Sequence, residues 1–372
     1  MAPEPPPAAP PKQFLCSGCG AIMEFDPAQG LLECGHCGHT EAVPAAAARA
    51  VPGHPLEEFL ALAGDAHLGP LTAQALQVQC TGCGSVVSFE PPEVAGVCPF
   101  CGADIVSQPK AADPLVAPDA LLPFKVPKDQ AQTQVRAWLQ SRWFAPNALK
   151  RLARQEGIAG LYLPFWAYDA DTVSRYTGQR GEHYYETETY ETTDDQGRTV
   201  TQTRQVQRTA WYPASGQVAR SFQDVLIAAS RSVPEKELNG LAPWDLEFLS
   251  PYEPAYLAGF KAQRYQVELP GGFEEAKSVM AKVIDRDVRD DIGGDEQIVD
   301  SVDTAYSNAV FRHLLLPVWM GAYRFRSKPY QVVVNARTGE VQGERPYSAW
   351  KIAFLVFGII CLIVVIYALS HR

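Results

Sequence analysis

Apolar and polar positions alternate in several distinct rhythms along this chain of 372 residues. Short period-two stretches come first. Ile22-Met23-Glu24-Phe25 and Val86-Val87-Ser88-Phe89 each lead into an acidic residue and a proline, Asp26-Pro27 and Glu90-Pro91. They predict small β-hairpins. Later, Ala131, Val135, Trp138 and Leu139 fall at helical spacing and predict a helix over 128–142, with a shorter one over 146–156. From Leu161 the rhythm turns β-rich. Residues 182–212 predict a long hairpin turning at Asp194-Asp195-Gln196-Gly197, polar on both faces and projecting into solvent. Glu182, Glu186, Glu188 and Glu191 on its first arm oppose Arg198, Arg204 and Arg208 on its second, a pairing that favours the hairpin. Helices are expected over 219–231 and 272–290. Strands at 323–326 and 330–334 precede a turn at 335–340 and one more short strand.

An LPxW core heads a strand run twice, as Leu163-Pro164-Phe165-Trp166 and as Leu316-Pro317-Val318-Trp319. The two read as equivalent strands of a pseudo-symmetric sheet, with proline at a tolerated strand start. The last rhythm is unbroken. Ile352 to Leu369 is a run of 18 residues without a charge, close to the length that spans a bilayer core. Trp350 and Tyr367 lie near its ends, where interfacial aromatics are favoured. Arg337, Arg345 and Lys351 precede it and Arg372 follows, so the bulk of the chain is expected on the cytoplasmic side of the cell membrane, as a single-pass, tail-anchored protein. Cys361 inside the run reads as a small apolar membrane residue.

The other eight cysteines form two sets of one spacing: Cys16, Cys19, Cys34 and Cys37, then Cys80, Cys83, Cys98 and Cys101. Each counterpart lies 64 residues further on. A CxxC turn presents two thiolates to one metal, and a second CxxC on a facing hairpin completes a tetrahedron around zinc. Glycine follows each second cysteine (Gly20, Gly38, Gly84, Gly102) and permits the positive-φ turn that brings N–H groups toward sulfur. Two structural Zn2+ sites are expected. Four-thiolate closure leaves no open position, so they are not catalytic. His36 and His39 are expected to face solvent, since the second set has Phe100 and Ala103 in their places. Disulfides would need an oxidising compartment, and redox dithiols usually come as a single CxxC.

Charge then narrows the partner. Formal net charge is -10. Between Lys12 and Pro109 the basic residues are Lys12 and Arg49; the acidic ones are Glu24, Asp26, Glu33, Glu41, Glu57, Glu58, Asp65, Glu90, Glu93 and Asp104. Phosphate binding relies on Lys and Arg, so nucleic acid is a poor fit and protein a better one. No phosphate loop, HExxH or GxSxG occurs, and the chain is not expected to be an enzyme. Asp285, Asp287, Asp290, Asp291 and Asp295 read as a solvated helix end rather than a cation site. The basic, Trp-bearing stretch over 128–156 could touch anionic lipid or an acidic partner, though a solvated basic back on a packed helix is the plainer reading.

Taken together, the CxxCG knuckles, Pro123-Phe124-Lys125, Trp143-Phe144-Ala145-Pro146, Leu163-Pro164-Phe165-Trp166, and the run from Leu316-Pro317-Val318-Trp319 through Asn335-Ala336-Arg337-Thr338-Gly339-Glu340 to Pro346 give the chain its resemblance. It resembles bacterial membrane-anchored proteins with transcription-factor-B-type zinc ribbons, often labelled primosome- or helicase-like. Some of these are similar to anchors of phage-shock-protein-A-like stress proteins and band-7 proteins. Relatives more often carry one clear ribbon. The resemblance implies recruitment of a partner, with no chemistry.

The expected fold class is α+β: two small zinc ribbons, a β-rich cytoplasmic domain with a few helices, and one C-terminal transmembrane helix. The expected layout is a disordered Pro-rich tail (1–12), ribbon 1 (13–43), a linker or short helices (44–76), ribbon 2 (77–108), a linker (109–127), an α+β domain (128–347) and the span (350–369). The expected function is a non-enzymatic adaptor for envelope stress or membrane remodelling, touching lipid through 352–369. The alternative is a nucleic-acid-binding ribbon protein tethered to the membrane.

Overall fold

A computed structural model describes residues 14–43, 51–61, 76–80, 86–89, 95–101, 104–106, 110–111, 116–143, 157–193, 197, 199–325, 328–344 and 348–370. The expected helix over 146–156 lies outside these. The architecture is β-rich with mixed helices. The first cysteine set sits on a three-stranded antiparallel sheet of β1 (Met23–Asp26), β2 (Leu31–Cys34) and β3 (Thr40–Ala42). Period two holds there: Met23 and Phe25 are buried and Glu24 is exposed. β4 (His54–Pro55) and α1 (Leu56–Ala61) follow. The second set lies among β5 (Leu76–Gln79), β6 (Val86–Phe89), β7 (Ala95–Val97), β8 (Asp104–Val106) and β9 (Lys110–Ala111), paired as β6-β5-β9 and β7-β8.

The main sheet is organised by three very long strands: β11 (Ala159–Thr193, 35 residues), β12 (Thr199–Ala228, 30 residues) and β15 (Glu296–Phe325, 30 residues). Strands of globular proteins are usually about 3–10 residues long. The order is β12-β11-β15-β10-β13, with β10 at Ala120–Leu121 and β13 at Ser250–Pro251. β14 (Lys261–Ala262) adds beside β11, and β16 (Lys328–Asn335) and β17 (Val341–Gly343) continue from β15.

The two LPxW strands face each other. Leu163 pairs with Leu316, Tyr162 with Pro317 and Pro164 with Leu315, so the register is symmetric about the Leu163–Leu316 pair. The equivalence extends outward. β10 runs parallel to β15 at Leu314 and Leu315, and β14 runs parallel to β11 at the matching Leu161 and Tyr162. Each short strand leads through a valine into a helix, α2 (Lys128–Ser141) after Val126 and, beyond α3 (Glu235–Gly240), α4 (Leu269–Ile292) after Val267. Trp319 donates its indole N–H to Val126 O at 2.7 Å, and Trp166 donates to Val267 O at 2.8 Å. Each repeat therefore hooks the helix start of the other. This pseudo-dyad is the centre of the core, where Trp166, Tyr162, Phe124, Leu121 and Leu122 are buried.

Past the dyad the long strands bend. One extra residue of β12 is accommodated between Tyr168 and Ala170, and one of β15 between Asp169 and Asp171. Asp224 and Asn308 take φ of 53° and 50° there, a conformation that Asp and Asn tolerate better than other side chains. Arg312 clamps the bend: its Nη2 donates to Asp169 Oδ2 and Asp224 Oδ1, each at 2.8 Å, while Asp224 N donates to Asp169 Oδ1 at 2.7 Å. The same bulge explains why the helix expected over 219–231 is absent. Val218, Phe222, Val225 and Leu226 match a helical template, yet β12 continues to Ala228. The bulge at Asp224 shifts the alternation by one residue and hides the period of two. Arg312→Met is expected to lower stability by about 1–3 kcal/mol, because it leaves two partly buried carboxylates without their cation. A urea midpoint in detergent micelles measures it.

Beyond the bend α4 covers the strands. Ala276, Met280, Ile284, Val288 and Ile292 recur every fourth residue and are buried. Its acidic end is largely exposed, as expected, and three of the carboxylates are also bonded: Asp287 accepts from Arg220 Nε at 2.5 Å, Asp291 from Tyr176 at 2.5 Å, and Asp285 from Arg289 at 2.8 Å. β15 begins at Glu296, opposite Gly181. Past that pair only β11 and β12 remain, as the expected hairpin. Glu188 meets Arg204 at 3.0 Å and Arg208 at 2.6 Å.

At the opposite end, Asn335 Oδ1 accepts the Arg337 and Thr338 N–H groups and makes the turn into β17. α5 (Ala349–Ser370) closes the described chain. Trp350–Tyr367 has mean hydropathy 2.6 and none of it is buried, so this helix is long and apolar enough to cross a membrane.

Candidate metal centres

The first centre is built from two turns. Cys16 and Cys19 flank the turn before β1; Cys34 ends β2 and Cys37 lies in the turn after it. Gly20 N donates to Cys16 O at 2.9 Å and Gly38 N to Cys34 O at 2.8 Å, with φ of 74° and 72°. A side chain would strain both positions, which accounts for the glycine after each second cysteine. The four thiols lie within 4.8 Å of one another. Cys16 and Cys37 sulfurs are 3.5 Å apart, as are Cys19 and Cys34. A tetrahedron with metal–sulfur bonds of about 2.3 Å has edges of about 3.8 Å. A disulfide would need about 2.05 Å. The donor set therefore fits a thiophilic ion and could hold one. The Cys37 and His36 N–H groups pull the Cys34 thiol down to about 6, while the crowding of neighbouring sulfurs pushes Cys19 and Cys37 up, as expected where four thiols without a cation cannot all ionise.

The second centre brings together Cys80, Cys98 and Cys101, with thiols again within 4.8 Å and Cys80 3.6 Å from Cys101. Cys83 lies outside the described residues. The surroundings of the two centres differ. Cys19 and Cys37 are exposed, whereas Cys80, Cys98 and Cys101 are all buried, with Phe100 beneath them. Cys361 is on α5, exposed. His36 and His39 are exposed, as expected; His39 Nε2 lies 3.1 Å from Ser17 Oγ and 3.5 Å from Glu41.

Neither centre hangs free. Phe25 N donates to Ala258 O at 3.0 Å and the Phe25 ring meets Tyr256 edge-on at 5.3 Å. Cys16, Cys34, Met23 and Leu32 share one apolar cluster with Phe124, Leu139 and Trp319. Cys80, Cys98, Phe100 and Cys101 share another with Leu163 and Leu316 at the dyad. A metal held at either centre would therefore be linked to the packing of the body.

Beside the dyad sits a histidine that the sequence reading passed over. His313 is fully buried, its ring tilted by 41° against the Trp166 ring at 4.8 Å between centroids. Its Nδ1 meets Val116 O at 2.9 Å, and since a carbonyl can only accept, Nδ1 carries the proton. Burial depresses its pKa to about 4. A neutral buried imidazole stabilises the fold fully above about pH 6.5, and that contribution is lost as pH falls toward 4. The unfolding free energy from urea titrations is expected to drop over this window by up to about 3 kcal/mol, and His313→Gln is expected to flatten the drop.

Two other features escaped the sequence reading. The Arg312 clamp joins residues far apart in the chain and has no local signature. The paired valines do have one, since Phe124-Lys125-Val126 and Tyr265-Gln266-Val267 each precede a helix at the same offset from a short strand.

The chain is 26% identical over 348 residues to an uncharacterized protein, YdjG, of Bacillus subtilis (strain 168), covering 93% of both chains. No family model matches the chain, and no solved structure matches it.

Proposed function

We propose that the chain is a non-enzymatic, membrane-anchored adaptor whose two zinc ribbons and projecting β-arm recruit partner proteins at the cytoplasmic face. The observation that carries this reading is the arm itself. Beyond Gly181 a two-stranded hairpin stands clear of the body, and its aromatic side chains point outward: Tyr185 is 65% exposed and Tyr184 46%. Exposed tyrosine and tryptophan are the residues that most often anchor protein interfaces. Zinc is the ion best suited to four thiolates in a structural role, and it supports a rigid module where little core is available. The acidic modules favour protein over nucleic acid. The resemblance suggests phage-shock-protein-A-like or band-7 proteins as partners.

Affinity capture of the full chain from detergent-solubilised membranes tests the proposal. A protein partner is expected at near-equal amount, and replacement of 183–211 by a short turn is expected to release it. Capture of nucleic acid that salt removes, with no protein above an untagged control, would favour the tethered nucleic-acid reading instead.

A further inference from the structure

We propose that the end of the body from which α5 departs is a docking face for an anionic phospholipid surface, so that the chain holds the bilayer with a folded surface as well as with a helix. This rests on the reading of α5 as a membrane span.

Three elements converge on that end. α2 runs out there: Lys351, in the first turn of α5, donates its Nζ to Trp143 O at 2.9 Å. β17 also points there, since Gly343 pairs with Val332 and Glu344 N donates to Gln331 O at 3.0 Å, just before α5 begins. The strand it follows, β16, starts at the hairpin where Arg324 registers with Pro329 and Phe325 with Lys328. The register thus sets Arg324 and Lys328 at the same end as Arg142, Trp143 and Lys351.

The side chains described there are of two kinds. Trp143 is 73% exposed and Trp350 74%, on opposite sides of the start of α5 in sequence. Trp143, Phe354 and Leu355 help line a groove of about 540 Å³ along the helix, which keeps this indole beside the anchor. The Arg142 guanidinium lies 5.1 Å over the Trp138 ring. Tryptophan with arginine and lysine is the composition favoured at a lipid–water boundary. Each such base near an anionic surface contributes about 1 kcal/mol, or roughly fivefold in affinity. The chain as a whole is acid, with formal net charge -10, so a basic end continuous with the anchor stands against its background. An acidic protein could meet the same charges, but two exposed tryptophans at the N-terminal end of α5 favour lipid.

The test is hydrogen exchange of the full-length protein in lipid nanodiscs, phosphatidylcholine alone against phosphatidylcholine with phosphatidylglycerol. Exchange at 137–143 and 328–332 is expected to slow on adding phosphatidylglycerol, and Arg142→Gln with Lys328→Gln is expected to abolish the slowing, by about fivefold for each base. The double variant should stay carbonate-resistant. Equal exchange in the two lipids, with the protein still inserted, would overturn the docking face alone. Release by carbonate would instead overturn the span, and the docking face with it. Slowing that requires an added acidic protein and ignores lipid composition would assign the face to a protein partner.

Discussion

Cys16→Ser with Cys34→Ser is expected to lower the metal content from two zinc ions per chain to one and to loosen the body as well as the first module. Structural zinc in small modules contributes about 10–16 kcal/mol of apparent binding energy, which exceeds what Met23, Phe25 and Leu32 bury there. The effect should spread because Cys16 and Cys34 belong to the cluster that contains Phe124 and Trp319. Elemental analysis of the purified chain gives the metal ratio, and hydrogen exchange over 23–42 and 119–139 gives the spread. A ratio that stays at two removes the metal reading of the first centre. Cys361→Ser, on the exposed surface of α5, should leave the ratio unchanged. For the second centre, Cys80→Ser with Cys83→Ser should remove the other ion and leave membrane insertion intact.

The second large effect is expected at the dyad. Trp166→Ala and Trp319→Ala each delete a buried indole and strand a buried carbonyl, Val267 O or Val126 O. Removing a core tryptophan costs about 3–5 kcal/mol. The two losses should be similar, since the two indoles make the same contact in mirror roles. Chemical unfolding in micelles compares them. A Trp319 loss below about 1 kcal/mol, with Trp166 in the expected range, would mean the two halves are not equivalent in energy.

Much of this was legible in the residues. The CxxC spacing placed seven described thiols in two close groups, and the 128–142 and 272–290 periodicities match α2 and α4. The LPxW pair announced equivalent strands, and the structure sets them opposite each other. What escaped notice depends on partners distant in sequence. The bulge at Asp224 imitates a helical period because one residue out of step resets the alternation. Residues 116–126 look like a linker by composition, yet Leu121, Leu122 and Phe124 are buried because β10 pairs with a strand nearly two hundred residues away. Such pairings leave no local pattern to read.

The length of the strands has a mechanical consequence. β15 has 30 residues between the anchor end and its start, or about 100 Å of strand measured along its bent path at about 3.3 Å per residue. The hairpin continues past that point through 182–193, adding about 40 Å. A flexible tether of about forty residues would average only about 35 Å between its ends and would sweep all directions about its attachment. A hydrogen-bonded rod does neither. On the membrane-anchored reading proposed above, it would carry its tip away from the lipid and concentrate it in a layer parallel to the membrane. Molecules whose own docking points lie in that layer are met often, and those hugging the lipid are passed over.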